Sequence, residues 1–481
     1  MAIPSFFSSV IWASVQRFGT MIISFVANMV LARLLTPTDF GTVGMLLFFL
    51  TLATTFVDSG FGAALIQKNN LTERDKSTVF YVNMTMSIIL YGILFILAPF
   101  IANFYNVEEL CILLRVEGLV LIINAFGLIQ TTLMKKNLDF KTLSKCNIIG
   151  SLVGSFICIT FAFLGFGVWS LIIRVVITSV VTSIMLWIEG KWNPSESFSL
   201  HSFKELFGYG GFMLLSSILF TITNNIQTLI IGKAFKPAIL GNYTQANTLK
   251  NYMSDSFSSI IGQVAFPDFS NHQDNLDMMK NRLLIGVDVL SFITGSILSL
   301  CILIAEPLIR ILYGEQWNVA IPYFQILCVG GVALSVQDIN YHMVAAKGKS
   351  GMLFLLNVGK TVIFLLLLYL SSKYLDIIGV LWSIVVYNFL AYFAFAFASS
   401  FCLRMNPITQ CFIMVRNLIV VSIPTIILML LNSCFFQTGT FLMLIVDVLF
   451  YLCILFVISK LLKMRATIYV YNNIIKVFKY R

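Results

Sequence analysis

Runs of about 20 apolar residues recur along nearly the whole chain, parted only by short charged or turn-forming connections. A run of that length crosses the hydrocarbon core of a bilayer as a helix, because an open sheet or a loop would leave backbone groups unsatisfied in lipid. Only 11% of the 481 residues are charged, against about 25% in an ordinary soluble domain. With 59% of its residues hydrophobic, the chain cannot hide its apolar surface from water, so its solvent is lipid.

Helices are expected near 10–34, 40–66, 78–103, 112–134, 147–165 and 168–188. A second set falls near 206–232, 238–265, 283–312, 320–345, 352–371, 376–402, 411–432 and 439–461, fourteen in all. The N-terminus has no basic stretch or small-residue cleavage site, so the first span is expected to remain in the mature protein. Loop charge sets the orientation: about 20 basic residues fall in alternate connections and the tail, against about 4 on the other side. Both termini are therefore expected in the cytoplasm.

The halves echo each other. Pro37-x-x-x-Gly41 returns as Pro237-x-x-x-Gly241, 200 positions on, and Gly167-Val-Trp169-Ser170 returns as Gly379-Val-Leu-Trp382-Ser383. Both matches fall at corresponding places in the helix order, which predicts two parallel six-helix repeats. The expected layout is an N-terminal lobe over 1–190 and an interfacial linker over 191–205. A C-terminal lobe follows over 206–403, then two further helices and a basic tail over 404–481.

Net charge is +10, but the basic residues flank spans, which is the pattern of topology and not of nucleic-acid binding. Nine scattered cysteines with no CxxC pair, and three dispersed histidines, give no metal-ligand or disulfide framework. No nucleophile with a base, Gly-rich phosphate loop or nucleotide-binding domain is present, so neither catalysis nor direct use of ATP is expected.

Ionisable side chains within spans are costly and should face protein or a wet cavity. Arg17, Arg174 and Lys360 have no acidic neighbour three or four residues away, so their partners must lie elsewhere, and an anionic substrate is one candidate. Arg115 with Glu117 lies near a helix end, where snorkelling to headgroups is the plainer reading and substrate contact the other. Asp58, Asp255 and Asp338 would bind H⁺ or Na⁺ as a coupling ion, or neutralise those cations. Asp338 and His342 can also pair with each other at i, i+4. Asn28, Asn224 and Asn225 would line the same cavity.

The stretch Leu31-Ala-Arg-Leu-Leu-Thr-Pro37-Thr-Asp-Phe-Gly41, followed by Val57-Asp58-Ser59-Gly60-Phe61-Gly62, resembles the start of Wzx-type polysaccharide flippases. These belong to the multidrug/oligosaccharidyl-lipid/polysaccharide exporter superfamily, and the Gly167-Val-Trp169-Ser170 turn fits their colanic acid and lipopolysaccharide branch. The resemblance implies two six-helix lobes like those of the MATE exporters and MurJ, working by alternating access in a bacterial inner membrane. It implies an undecaprenyl-pyrophosphate-linked oligosaccharide as cargo, with polysaccharide polymerase machinery as an expected partner, and no cofactor beyond a coupling ion. By the same analogy Arg17, Arg174 and Lys360 would meet the anionic headgroup, and Pro37, Gly41, Pro237 and Gly241 would form gate-side turns. Peptidoglycan-precursor flippases and ion-coupled small-molecule exporters are the related alternatives, although helix 1 carries Arg17 where cation exporters place a carboxylate.

Overall fold

Because lipid offers no hydrogen bonds, each crossing segment must satisfy its own backbone, and the chain answers with helices throughout. A computed structural model describes residues 6–58, 60–68, 70–272, 275–435 and 441–462, the side chains of 6, 7, 63, 208–213, 216, 255–264, 267, 433–435 and 441–443 excepted. It divides into two compact units, Met1–Gly241 and Asn242–Arg481.

The first unit holds α1 (Phe6–Leu34), α2 (Pro37–Asp58), α3 (Phe61–Gln67), α4 (Glu73–Tyr105) and α5 (Leu110–Glu117). It continues with α6 (Leu119–Lys136), α7 (Phe140–Phe163), α8 (Val168–Glu189), α9 (Leu200–Ala234) and the first turn of α10 (Pro237–Asn271). The second unit holds the rest of α10, α11 (Leu276–Leu303), α12 (Ala305–Tyr313), α13 (Ala320–Ala346) and α14 (Ser350–Tyr374). It ends with α15 (Ile377–Leu403), α16 (Pro407–Phe435) and α17 (Phe441–Leu461).

Twelve spans among the described residues are long and apolar enough to cross a membrane, so this is a multi-span membrane protein. The two remaining expected spans, 206–232 and 238–265, coincide with α9 and α10, each 35 residues long. Prolines open α2, α10 and α16, where a missing N–H costs nothing. Polar caps mark other starts: Thr72 and Asp75 form a reciprocal capping box on α4, and Asp139, Ser199, Asn275 and Asp376 cap α7, α9, α11 and α15.

Three expected helices are broken. The second ends at Asp58, because Gly60 takes a left-handed φ of 69° before the short α3. The fourth is split at Gly118 into α5 and α6. The ninth breaks at Ile304, three residues before Pro307, whose ring nitrogen cannot donate to Leu303. That Pro307 and Tyr313 repeat Pro99 and Tyr105 of α4 at an offset of 208, and both tyrosines are buried.

Small residues permit the closest helix pairs. Side-chain atoms added at Gly150 and Gly154 of α7 would fall 2.0 Å from the hydroxyls of Thr182 and Thr178 on α8, a glycine pair four apart that lets two backbones meet. The α7–α8 connection turns on Gly165 and Gly167, with φ of 83° and 54°.

Within the second unit α16 is fastened to α11 by polar contacts. Arg416 Nη2 lies 2.8 Å from Asp288 Oδ1, and Asn417 Nδ2 donates to the same oxygen at 2.8 Å and to Ser291 Oγ at 2.8 Å. Further along, the hydroxyls of Ser299 and Thr425 lie 2.6 Å apart, and the Tyr451 hydroxyl of α17 donates to Ser296 O at 2.9 Å.

Removing the cation leaves the buried Asp288 carboxylate with the Asn417 amide as its remaining side-chain donor among the described residues. Arg416→Ala should cost about 3 kcal/mol, read as a lowered unfolding midpoint in detergent, and adding Asp288→Asn should recover most of it. An unchanged midpoint for Arg416→Ala would contradict this assignment.

Candidate functional site

Each unit presents its own set of polar groups. In the first, Arg17 of α1 is exposed and Arg174 of α8 is half-buried. Neither has an ion-pair partner among the described residues. The backbone carbonyl of Arg174 belongs to the tight α7–α8 seam, 3.1 Å from where a Gly154 side chain would start, so packing fixes the root of that side chain. Arg115 is spent on α4: its Cζ stands 4.2 Å from the Phe95 ring centroid and its Nε donates to Phe95 O at 3.4 Å. Asn28 is buried, Asn224 exposed and Asn225 half-buried with its amide bonded to Thr221 O at 2.9 Å. Asp58, expected inside a helix, is the last residue of α2 and has Lys135 of α6 within electrostatic range.

In the second unit Lys360 of α14 is half-buried, with Nζ 5.4 Å from the Phe395 ring centroid. The charge acting on it is Asp338 of α13, so the structure brings together two residues 22 positions apart that the sequence left separate. His342 instead stands among rings, 5.5 Å from Tyr341 and 6.3 Å from Phe266. Lys250 of α10 is buried with its stem against Gly331 of α13. The side chain of Asp255 lies outside the described residues.

The two repeated turns meet. A Cβ on Gly41 would lie 1.8 Å from Pro237 O, and one on Gly241 would lie 1.8 Å from Pro37 O. The contact is reciprocal, and any side chain larger than hydrogen would force the backbones apart.

From that crossing α9 runs antiparallel along α2. Met45 lies against Gly232, the Thr55 and Thr221 hydroxyls are 2.8 Å apart, and Phe61 of α3 packs on Phe203 and Phe207 at 5.7 and 6.1 Å between centroids. The far end is ionic: Lys68 Nζ is 2.9 Å from Glu205 and 3.0 Å from Asp75. Partial burial works against the Lys68 charge, yet its bonds to these two carboxylates outweigh it and lift the ammonium above the ordinary lysine range. Lys136 Nζ caps the end of α3 by donating to Leu65 O at 2.7 Å and to Lys68 O. A cavity of about 230 Å³ opens here between Ala64, Gln67, Lys68, Glu205 and Leu206. The linker after α8 is pinned to the same end, with Trp192 Nε1 donating to Glu73 at 2.8 Å and the Ser199 N–H to Thr78 Oγ1 at 3.1 Å.

Sequence reasoning missed Glu205, Lys136 and the α7 glycine pair. The pair was readable as small residues four apart; Lys136 read as an ordinary loop charge, and nothing local to Glu205 marked it.

A family model described as polysaccharide biosynthesis protein matches residues 30–322. The teichuronic acid biosynthesis protein TuaB of Bacillus subtilis is 27% identical over 384 residues, 79% of this chain and 80% of that protein. The lipopolysaccharide biosynthesis protein WzxC of Escherichia coli is 24% identical over 371 residues, 77% of this chain and 75% of that one. Among solved structures, the lipid II flippase MurJ in an inward closed conformation superposes with a TM-score of 0.76 at 13% identity, covering 94% of this chain and 98% of its own. An inward-facing MATE-family multidrug transporter follows at 0.63 and 18%, covering 82% and 98%. The chain therefore has the MurJ/MATE fold.

Gly41→Ala should part the two turns. A cysteine at Thr42, which is buried beside Gly41, should then react with an impermeant maleimide about tenfold faster, the equivalent of about 1.4 kcal/mol. Gly92→Ala, which meets nothing within 4 Å, should leave the rate alone; equal rates in both variants would contradict the contact.

Proposed function

We propose, because this chain belongs to the polysaccharide biosynthesis protein family, that it is a flippase for an undecaprenyl-pyrophosphate-linked oligosaccharide in the bacterial inner membrane. It carries the repeat unit from the cytoplasmic to the periplasmic leaflet by alternating access, for assembly of an envelope polysaccharide. The observation that carries this reading is the family match joined to the fold of a lipid II flippase. A sugar-polymer family and a lipid-moving fold meet in a single activity.

The chain's own residues support it. Arg17 and Arg174 are cations in spans without ion-pair partners among the described residues, and Arg is the side chain whose planar fork matches phosphate oxygens. The pyrophosphate is the anionic part common to such cargo, whatever the sugar. Lys360, shared with Asp338, is the second unit's contribution, and the Pro37–Gly41 and Pro237–Gly241 turns form the periplasmic gate. The positive-inside asymmetry puts the Lys68 end and both termini in the cytoplasm, and assembly beside a polysaccharide polymerase is the matching partnership. A peptidoglycan-precursor flippase is the second reading, favoured by the superposition on MurJ. The curated relatives, named for teichuronic acid and lipopolysaccharide biosynthesis, favour the first.

Proteoliposomes holding a labelled polyprenyl-pyrophosphate oligosaccharide test the reading through its change of leaflet. Wild type should move it, and Arg17→Ala should slow it by about 10- to 100-fold, the loss of one charge-assisted contact worth about 1.5–3 kcal/mol. Movement of lipid II in preference to the oligosaccharide would transfer support to the second reading, and no movement of any polyprenyl cargo would overturn both.

A further inference from the structure

The span Leu110–Lys136 is interrupted inside its apolar run, where Gly118 separates α5 from α6. Gly118 keeps helical dihedrals, φ −58° and ψ −23°, and its N–H still reaches Leu114 O at 2.9 Å, so the interruption is one irregular turn. There α4 packs on it: a Cβ on Gly118 would lie 3.2 Å from the Tyr91 ring. Beside that turn, Glu117 is only 6% exposed, and its Oε2 has no hydrogen-bond partner.

The charged and titratable groups of every element packed on α5 are otherwise occupied or distant. Arg115, on α5 itself, is held by Phe95. On α4, Glu73, Arg74, Asp75 and Lys76 cluster at the opposite end of the helix, and Tyr81, Tyr91 and Tyr105 supply no cation. On α2, Asp39 is bonded to Thr36 and Asp58 lies beside Lys135. On α6, Lys135 and Lys136 lie in the last turn. On α8, Glu189 pairs with Lys145, and Arg174 makes no ion pair with Glu117. A carboxylate sealed in without a cation is costly, and binding a proton removes that cost.

We propose that Glu117, at the α5–α6 junction, is a proton-binding site that loads and unloads during the transport cycle. The ligand is a proton and not a metal ion, because hard cations take several oxygens and no three acidic, His or Cys groups converge among the described residues. The step is simple in balance: one carboxylate takes one proton from water on one side and returns it to water on the other. Coupling follows from the packing. The cover over α5 includes α2, the helix whose first turn meets Pro237, so a movement that parts the repeated turns also changes what seals Glu117. The coupling role rests on the alternating-access reading above; the proton site itself does not.

Infrared difference spectra of the reconstituted protein, taken against pH without cargo, read the site directly. Wild type should show a protonated-carboxyl band that disappears as pH rises, Glu117→Gln should lack it, and Glu205→Gln should retain it. An identical titrating band in Glu117→Gln, or none in wild type, would overturn the proposal. With polyprenyl-pyrophosphate cargo, an imposed pH gradient should accelerate wild-type movement, and Glu117→Gln should lose that acceleration. Full gradient dependence in Glu117→Gln would overturn the coupling. If wild type moves no polyprenyl cargo, the cargo reading fails while a band lost in Glu117→Gln still establishes the proton site.

Discussion

Lipid withholds hydrogen bonds, and that constraint governs the structure from the backbone to the last buried charge. It makes every long segment a helix, and it turns each polar side chain inside a span into a group that must find a partner within the protein. Many find the nearest one: the hydroxyls of Thr51, Thr55, Ser144, Ser291 and Thr294 donate to carbonyls four residues back. Others fasten helices together, as Asp288 does with Arg416 and Asn417. Acidic and basic groups in spans with no such partner are where function is to be sought, and Arg17, Arg174 and Glu117 are three of these among the described residues.

The same constraint gives the repeated turns their meaning. Two helices can approach closely only where side chains vanish, and the chain places a glycine four residues after a proline at both turns. Proline starts each helix cleanly, and glycine lets each backbone rest on the other's proline carbonyl. Such a contact holds by shape and weak C–H···O attraction, with no ion pair across it. The opposite end of the α2–α9 seam is built differently, from aromatic packing and the Lys68–Glu205–Asp75 triad.

Much of this was legible in the sequence. The spans showed in the length of the apolar runs, and the two Pro-x-x-x-Gly turns were recognisable as one motif used twice, although only the fold puts them in contact. The irregular turn at Gly118 was not read: residues 112–134 were expected as one helix. What stayed hidden depends on residues far apart in sequence. Arg416 lies 128 positions from Asp288, and nothing local to Lys360 announces Asp338. Glu117 read as a headgroup anchor because it sits near the start of the helix expected over 112–134; its burial is a property of α2, α4 and α8 packing on α5.

The proposed gate requires the repeated turns to part during transport. Spin labels at Thr38 and Lys236, both exposed beside the crossing, report the distance between the turns in proteoliposomes. The account predicts a short distance that gives way to a second, longer population when polyprenyl-pyrophosphate cargo and a pH gradient are supplied. A single short distance under every condition, in protein that moves cargo, would contradict it.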